Sequence, residues 1–268
     1  MDKRVTAVEA YLKALRTGEA SATAWAASFL AKDVELETVG AHMWGNGHEE
    51  FKGYDNVLRM ITGIGVMTQL YRGAGWTAPE PAGNGLKVSA NLGGGLLSSA
   101  TLTFSFNAAD QIVKVEQVNA PGTPGQSTDH LPDFVQGIVN SALANNRPLI
   151  VAYTDDNGAP NLSFRGSTQV FSDHQLSIWV RHANGGMATT LRKNPRMTLM
   201  YRDPPTTLTF QGVAHFDTTE DVRNRVFDLM PEVEQAHDWG RTGAALIIDL
   251  QRVSGNTPRG GVRMERGG

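Results

Sequence analysis

The sequence contains no cysteine, which excludes disulfide staples, thiolate nucleophiles and cysteine-ligated zinc or iron–sulfur centres. It also lacks a charge excess. Its 24 Lys and Arg stand against 27 Asp and Glu for a formal charge of −3, so nothing indicates nucleic acid as a partner. No apolar run reaches the roughly 18 residues of a membrane-spanning helix, and no membrane association is expected. The opening MDKRVTAVEAYLKAL has neither the apolar block nor the small-residue cleavage site of a secretory signal. The expectation is a soluble, cytoplasmic protein. What is present is a globular composition, 40% hydrophobic and 19% charged over 268 residues, enough for two domains that each bury their own core.

The chain divides at NAPGTPGQSTDH, Asn119–His130, where Pro, Gly, Ser and Thr displace every periodic signal. Residues 1–120 form one expected domain, 121–130 a linker and 131–268 a second domain. In the first, Thr6–Thr17 reads as an amphipathic helix with Val8, Leu12 and Leu15 on one stripe, and Ala22–Leu30 as another helix. Val34, Leu36 and Thr38 alternate with Glu35 and Glu37, and LSSATLTFSF (Leu97–Phe106) and QIVKVEQV (Gln111–Val118) alternate around a turn at Asn107–Asp110. Helices followed by antiparallel strands predict an α+β cone or half-barrel.

The second domain reads as helix Leu131–Asn145 and strands Pro148–Thr154, Pro160–Phe171, Leu176–Arg181, Arg196–Arg202, Thr207–Phe216 and Ala244–Val253. Helices at Met187–Lys193 and Glu220–Leu229 interrupt them. Short antiparallel strands with few helices predict a small β-barrel.

One stretch there carries a chemical question. NLSFRGSTQVFSDHQLSIWVRHANGGMATTLRKNPRMTLMYRD, Asn161–Asp203, sets Arg165 inside a strand pattern, where a cation needs either a protein carboxylate such as Asp249 or a ligand phosphate. The Gly185–Gly186 loop opening a helix offers free backbone N–H groups and the positive end of a helix dipole, and a guanidinium matches a phosphate bidentately. Arg181 and Arg192 are further candidate cations. Trp179 either packs in the core or lies near a planar ligand ring.

The pieces GAPNLSFRGS, LSIWVR, LRKNPRMTLMYRD and LTFQGVAHF, in this order, resemble the FMN-binding split-barrel family of pyridoxamine 5′-phosphate oxidase. The resemblance implies that Arg165 and Ser167 meet the FMN phosphate, with Gly185, Gly186 and Met187 at the loop and helix start. It also implies a homodimer with each flavin at the subunit interface. The family often has Lys or Arg where Met187 and Gly186 stand and a Gln where Thr207 falls, so two polar anchors differ.

In the first half, TAVEAYLKALRTGE, FLAKDVELETVG and FKGYDNV resemble the nuclear transport factor 2-like group, which includes ketosteroid isomerase and the polyketide cyclases of the SnoaL type. Tyr11 falls on the isomerase's tyrosine donor, but the base position falls on Thr38 and the second donor on Leu102, which breaks the catalytic set. Tyr11, Thr38, His42 and Trp44 remain candidates for lining a substrate pocket. His42 and His48, six residues apart in GAHMWGNGHEEF, share no defined face, so no metal site is expected.

The function these readings imply is an FMN-dependent oxidoreductase acting on a small organic substrate, with the first domain shaping or capping a pocket. Two alternatives stay open. One is a binding module of the same barrel type that takes a deazaflavin, haem or no cofactor. The other is a cofactor-free isomerase, cyclase or lyase in the first domain.

Overall fold

The computed structural model describes residues 2–42, 45–65, 69–93, 95–123, 125 and 127–266. It divides into two units, Met1–Pro124 with Asn256–Gly261, and Gly125–Gly255 with Val262–Gly268. The second boundary was not legible in the sequence, because a continuous strand pattern carries no mark of where one unit's contacts give way to another's.

In the first unit, helix α1 (Lys3–Thr17) begins at Asp2, whose side chain accepts the Arg4 N–H, and ends at Gly18 in the left-handed region at φ 62°. An acidic N-cap and a left-handed glycine are the expected stops. Helices α2 (Ala20–Ala27) and α3 (Tyr54–Gly63) follow. The sheet runs β2–β1–β7–β6–β5–β3, with β4 (Glu80–Ala82) also on β5. Its strands are β1 (Leu30–His42), β2 (Gly45–Lys52), β3 (Gly75–Trp76), β5 (Gly85–Asn91), β6 (Leu97–Phe106) and β7 (Ile112–Pro121). All pairings are antiparallel except β1 with β7. The alternation in β1 sends Val34, Leu36 and Thr38 inward, where they join Tyr11, Leu15, Val88, Leu102 and Phe104 in the core.

The described residues of GAHMWGNGHEEF belong to β1 and β2. His48 pairs with Val39 in register and its Nε2 lies 3.0 Å from Glu37 Oε1 on the outer face. The linker also differs from expectation. Its start extends β7 to Pro121, and Ser127–Thr128 (β8) pairs with β16 (Gly260–Glu265), because backbone groups beside open strand edges find partners there.

The second unit is consistent with a split β-barrel. Its nine-stranded sheet has the order β10–β9–β13–β14–β15–β12–β11, with β16 on β15. The strands are β9 (Leu149–Thr154), β10 (Pro160–Arg165), β11 (Gln169–Ser172), β12 (Gln175–Val180), β13 (Arg196–Asp203), β14 (Thr206–Asp217) and β15 (Ala244–Thr257). One face buries Leu149, Val151, Ile178, Leu199, Phe210 and Ile248, with Val135 and Val139 of helix α4 (Asp133–Asn140). On the other face Trp179, Ala245 and Ile247 pack under Val226, Phe227 and Met230, from helix α6 (Glu220–Leu229) and its end.

The strand expected over Pro160–Phe171 is two strands. A turn at Gly166–Ser167 separates them, and Thr168 Oγ1 donates to Arg165 O at 3.0 Å. Arg165 therefore closes a strand rather than sitting mid-strand. The helix expected over Leu131–Asn145 ends at Asn140, followed by turns to Asn146, whose φ of 56° no helix continues. Among the described residues, no helix is long and apolar enough to cross a membrane.

Candidate functional site

Arg165 reaches the site through strand alternation. Along the edge strand β10, Leu162 and Phe164 face outward, while Asn161, Ser163 and Arg165 are partly covered. The Arg165 guanidinium forms no ion pair among the described residues. Nη2 donates to Met187 Sδ at 3.0 Å, a weak acceptor, and Nε is buried without a partner. Burial pulls its pKa below the usual arginine value, and neighbouring Arg181 pulls the same way, while Tyr153 and Glu234 oppose. The alternative partner Asp249 is engaged elsewhere, accepting from Gln175 Nε2 at 2.8 Å and lying 3.1 Å from His215 Nδ1.

The chain beyond β12 supplies the rest of the wall. Gly185 N–H donates to His182 O at 2.9 Å, which turns the backbone into helix α5 (Gly186–Lys193). No side chain caps that helix, so its first N–H groups have no partner from within the helix. A Cβ on Gly186 would meet nothing within 4 Å, so the backbone there borders open space. Ser167 is buried and its hydroxyl donates to Trp179 O at 3.2 Å, which leaves its lone pairs as acceptors only. Arg165, Ser167, Arg181, Gly185, Gly186 and Met187 line one cavity of about 310 Å³.

The structure does not bring Thr207 to this cavity. It stands at the start of β14, where its hydroxyl accepts from Arg202 Nη1 at 3.2 Å. Arg192 also lies elsewhere, 4.7 Å from the Phe216 ring. Trp179 is a core residue first. Its indole N–H donates to Asp238 at 2.8 Å and its ring meets Phe227 edge-on at 5.2 Å, yet it borders the cavity too. Sequence reading missed Tyr153, Gly166, His182 and Glu234, all in the cavity wall. Only Tyr153, in alternation along β9, left a local signal.

In the first unit, Tyr11 and Thr38 are buried. The Tyr11 hydroxyl has no partner among the described residues, and burial first, then the Tyr71 phenol, push its pKa far above the usual range, so it is a donor and not a base. The neighbouring polar cluster was not legible in the sequence. The Tyr71 hydroxyl accepts from Gln117 Nε2 at 2.8 Å and donates to Asn119 Oδ1 at 3.1 Å. Thr38 lies beside Gln117 in register. His42 ends β1, and its side chain, like Trp44, lies outside the described residues. No buried carboxylate joins this cluster among the described residues.

No family model matches the sequence, and no curated protein matches it. Solved structures match over about half of the chain. HupZ from Group A Streptococcus is 20% identical at a TM-score of 0.37, covering 51% of this chain and 99% of its own. A Clostridium acetobutylicum protein related to general stress protein 26, of the pyridoxinephosphate oxidase family, is 13% identical at 0.39, covering 50% and 96%. An FMN-binding protein from Syntrophomonas wolfei is 9% identical at 0.36, covering 46% and 86%.

The thioether contact leads to one prediction. Met187 is buried against the Arg165 guanidinium, so Met187→Lys sets two cations together and lowers ligand-free stability by about 1–3 kcal/mol. An anion between them reverses the sign. In thermal melts, FMN raises the Tm of Met187→Lys by more than that of the wild type. Equal shifts mean that no phosphate binds beside Met187.

Proposed function

We propose that the second unit binds FMN in the Arg165 cavity and that the protein is a flavin-dependent oxidoreductase acting on a small organic substrate. The observation that supports this is the half-buried guanidinium of Arg165, whose hydrogen-bond partner among the described residues is a thioether. A half-buried cation with no carboxylate in hydrogen-bond contact among the described residues is costly, and a ligand phosphate supplies that contact. The uncapped start of α5 adds backbone donors and a favourable dipole at the same cavity.

On this reading Arg165, the amides at Gly186 and Met187, and Arg181 hold the phosphate, and Ser167 accepts from a ligand hydroxyl. Bound FMN supplies hydride or electron transfer at its isoalloxazine ring. The chain supplies binding, orientation and the exclusion of water. The Tyr11–Thr38 interior of the first unit, with donors and no carboxylate among its described buried residues, fits a part in holding a substrate better than a part in proton abstraction.

The test is the visible spectrum of the purified protein followed by titration with FMN. Flavin bands, or their perturbation during titration, are expected. A Soret band, or a colourless protein that leaves the FMN spectrum unchanged, defeats the assignment.

A homodimer belongs to the same reading. Leu162 and Phe164 are 70% and 68% exposed on the edge strand β10, and Phe164 also borders the cavity. A second copy covering them buries apolar surface at the mouth of the site. Phe164→Asp is expected to shift the mass in light scattering from dimer to monomer and to weaken FMN binding by about tenfold. A wild-type monomer that binds FMN refutes the pairing alone.

A further inference from the structure

One side chain in the Arg165 cavity has the wrong sign for a phosphate site. Glu234, on the short helix α7 (Glu232–Gln235), lines the cavity beside Arg165 and Gly166. Its carboxylate makes no hydrogen bond or ion pair with a described residue. It acts on Arg165 through space, favouring the guanidinium's charge, without closing on it.

Gly166 makes room for this carboxylate. A Cβ at Gly166 would lie 2.3 Å from Glu234 Oε1 and 3.1 Å from its Cδ. The backbone there is outside the left-handed region, so glycine supplies space rather than conformational freedom. Two glycines therefore shape the cavity for different reasons. Gly186 borders open space at the helix start, and Gly166 seats an acceptor.

An ionised carboxylate facing a cavity is solvated until a ligand displaces its water, and the ligand must then return hydrogen-bond donors. A hydroxyl or N–H does this. A second anion does not, and bare phosphate near Glu234 meets repulsion that partly offsets the attraction of Arg165 and Arg181.

We infer that Glu234 is a specificity-determining acceptor that admits phosphate esters carrying hydroxyl or N–H donors close to the phosphate, such as polyol phosphates, and disfavours esters without them. The inference rests on the phosphate reading of the Arg165 cavity. It does not require that the ligand be a flavin.

Calorimetric titration of the full-length protein with ribose 5-phosphate, which carries hydroxyls, and phenyl phosphate, which carries none, tests it. The wild type is expected to favour ribose 5-phosphate. Glu234→Ala weakens ribose 5-phosphate by about tenfold, the worth of one hydrogen bond to an ionised group, and strengthens phenyl phosphate, so the preference falls by more than tenfold. Glu234→Gln keeps an acceptor and retains most of the preference. Gly166→Ala displaces the carboxylate and reproduces Glu234→Ala, with no added effect in the double variant.

An unchanged preference in Glu234→Ala overturns the inference, as does equal tightening of both esters, which would make Glu234 only a competitor for Arg165. If FMN fails to bind while the preference responds to Glu234, the flavin reading falls and this one stands. If FMN binds and the preference does not move, this inference falls alone. If neither ester binds the wild type, the phosphate reading and this inference fall together.

Discussion

Arg165→Ala lowers FMN affinity by about ten- to a hundredfold while leaving the ligand-free protein no less stable than the wild type. The loss follows from deleting a charge-assisted contact worth about 1.5–3 kcal/mol. The unchanged stability follows from what the side chain does without ligand. Among the described residues its Nε is buried without a partner and its Nη2 meets the Met187 sulfur, so the folded protein carries a desolvation cost that the unfolded chain does not. Arg165→Met keeps the volume and removes the charge, and is expected to stabilise the ligand-free fold by up to about 1 kcal/mol while binding FMN as poorly as the alanine variant. Arg165→Lys recovers part of the affinity, since an ammonium lacks the planar fork. Titration and urea melts on the same four proteins check both effects. A large stability loss with unchanged FMN affinity would show Arg165 to be structural.

Asp238→Ala destabilises the protein by about 3–5 kcal/mol, the larger effect on folding. Asp238 is 9% exposed and accepts the Trp179 indole N–H at 2.8 Å, the Gly243 N–H at 2.9 Å, the Thr242 N–H at 3.1 Å and the Thr242 hydroxyl at 2.9 Å. Truncation orphans the two buried donors on Trp179 and Gly243, at about 1–3 kcal/mol each, and loosens Trp179 against Phe227. Burial raises the carboxyl's pKa, but the bonds from Trp179, Thr242 and Gly243 together outweigh it and hold the folded value below the usual one. A depressed folded-state pKa contributes stability that is present above the unfolded carboxylate value of about 3.9 and is lost as pH falls through the folded value. Denaturant melts at neutral pH and below about pH 4 should therefore show the gap between wild type and Asp238→Ala narrowing in acid. A gap that widens in acid contradicts the charged, hydrogen-bonded state.

Neither of these two sites was equally legible beforehand. Arg165 stood out because a cation in an apolar alternation is locally anomalous, and the Gly185–Gly186 step announced a helix start. Asp238 carried no local signal. Its burial depends on Trp179, which is distant in the chain and reaches it only because β12 pairs with β15. Glu234 was silent for the same reason, since its placement against Gly166 depends on where α7 folds back. Thr207 shows the converse. It holds a position in the order of motifs that the resemblance marks for cofactor contact, yet its hydroxyl serves Arg202.

The sequence by itself determined what local rules reach. Period-two alternation marked Leu97–Phe106, helical periodicity marked Glu220–Leu229, and both elements lie within those bounds. It also set the absence of thiol chemistry. Only the tertiary structure decided that β1 runs parallel to β7, that Arg165 forms no ion pair among the described residues, that Tyr71 joins Gln117 and Asn119, and that Glu234 faces the Arg165 cavity. Periodicity is a property of neighbours within a few residues, set by backbone geometry and burial of one face. Which distant groups meet depends on strand register and on packing of the whole core, and a single residue's identity carries no record of that partner.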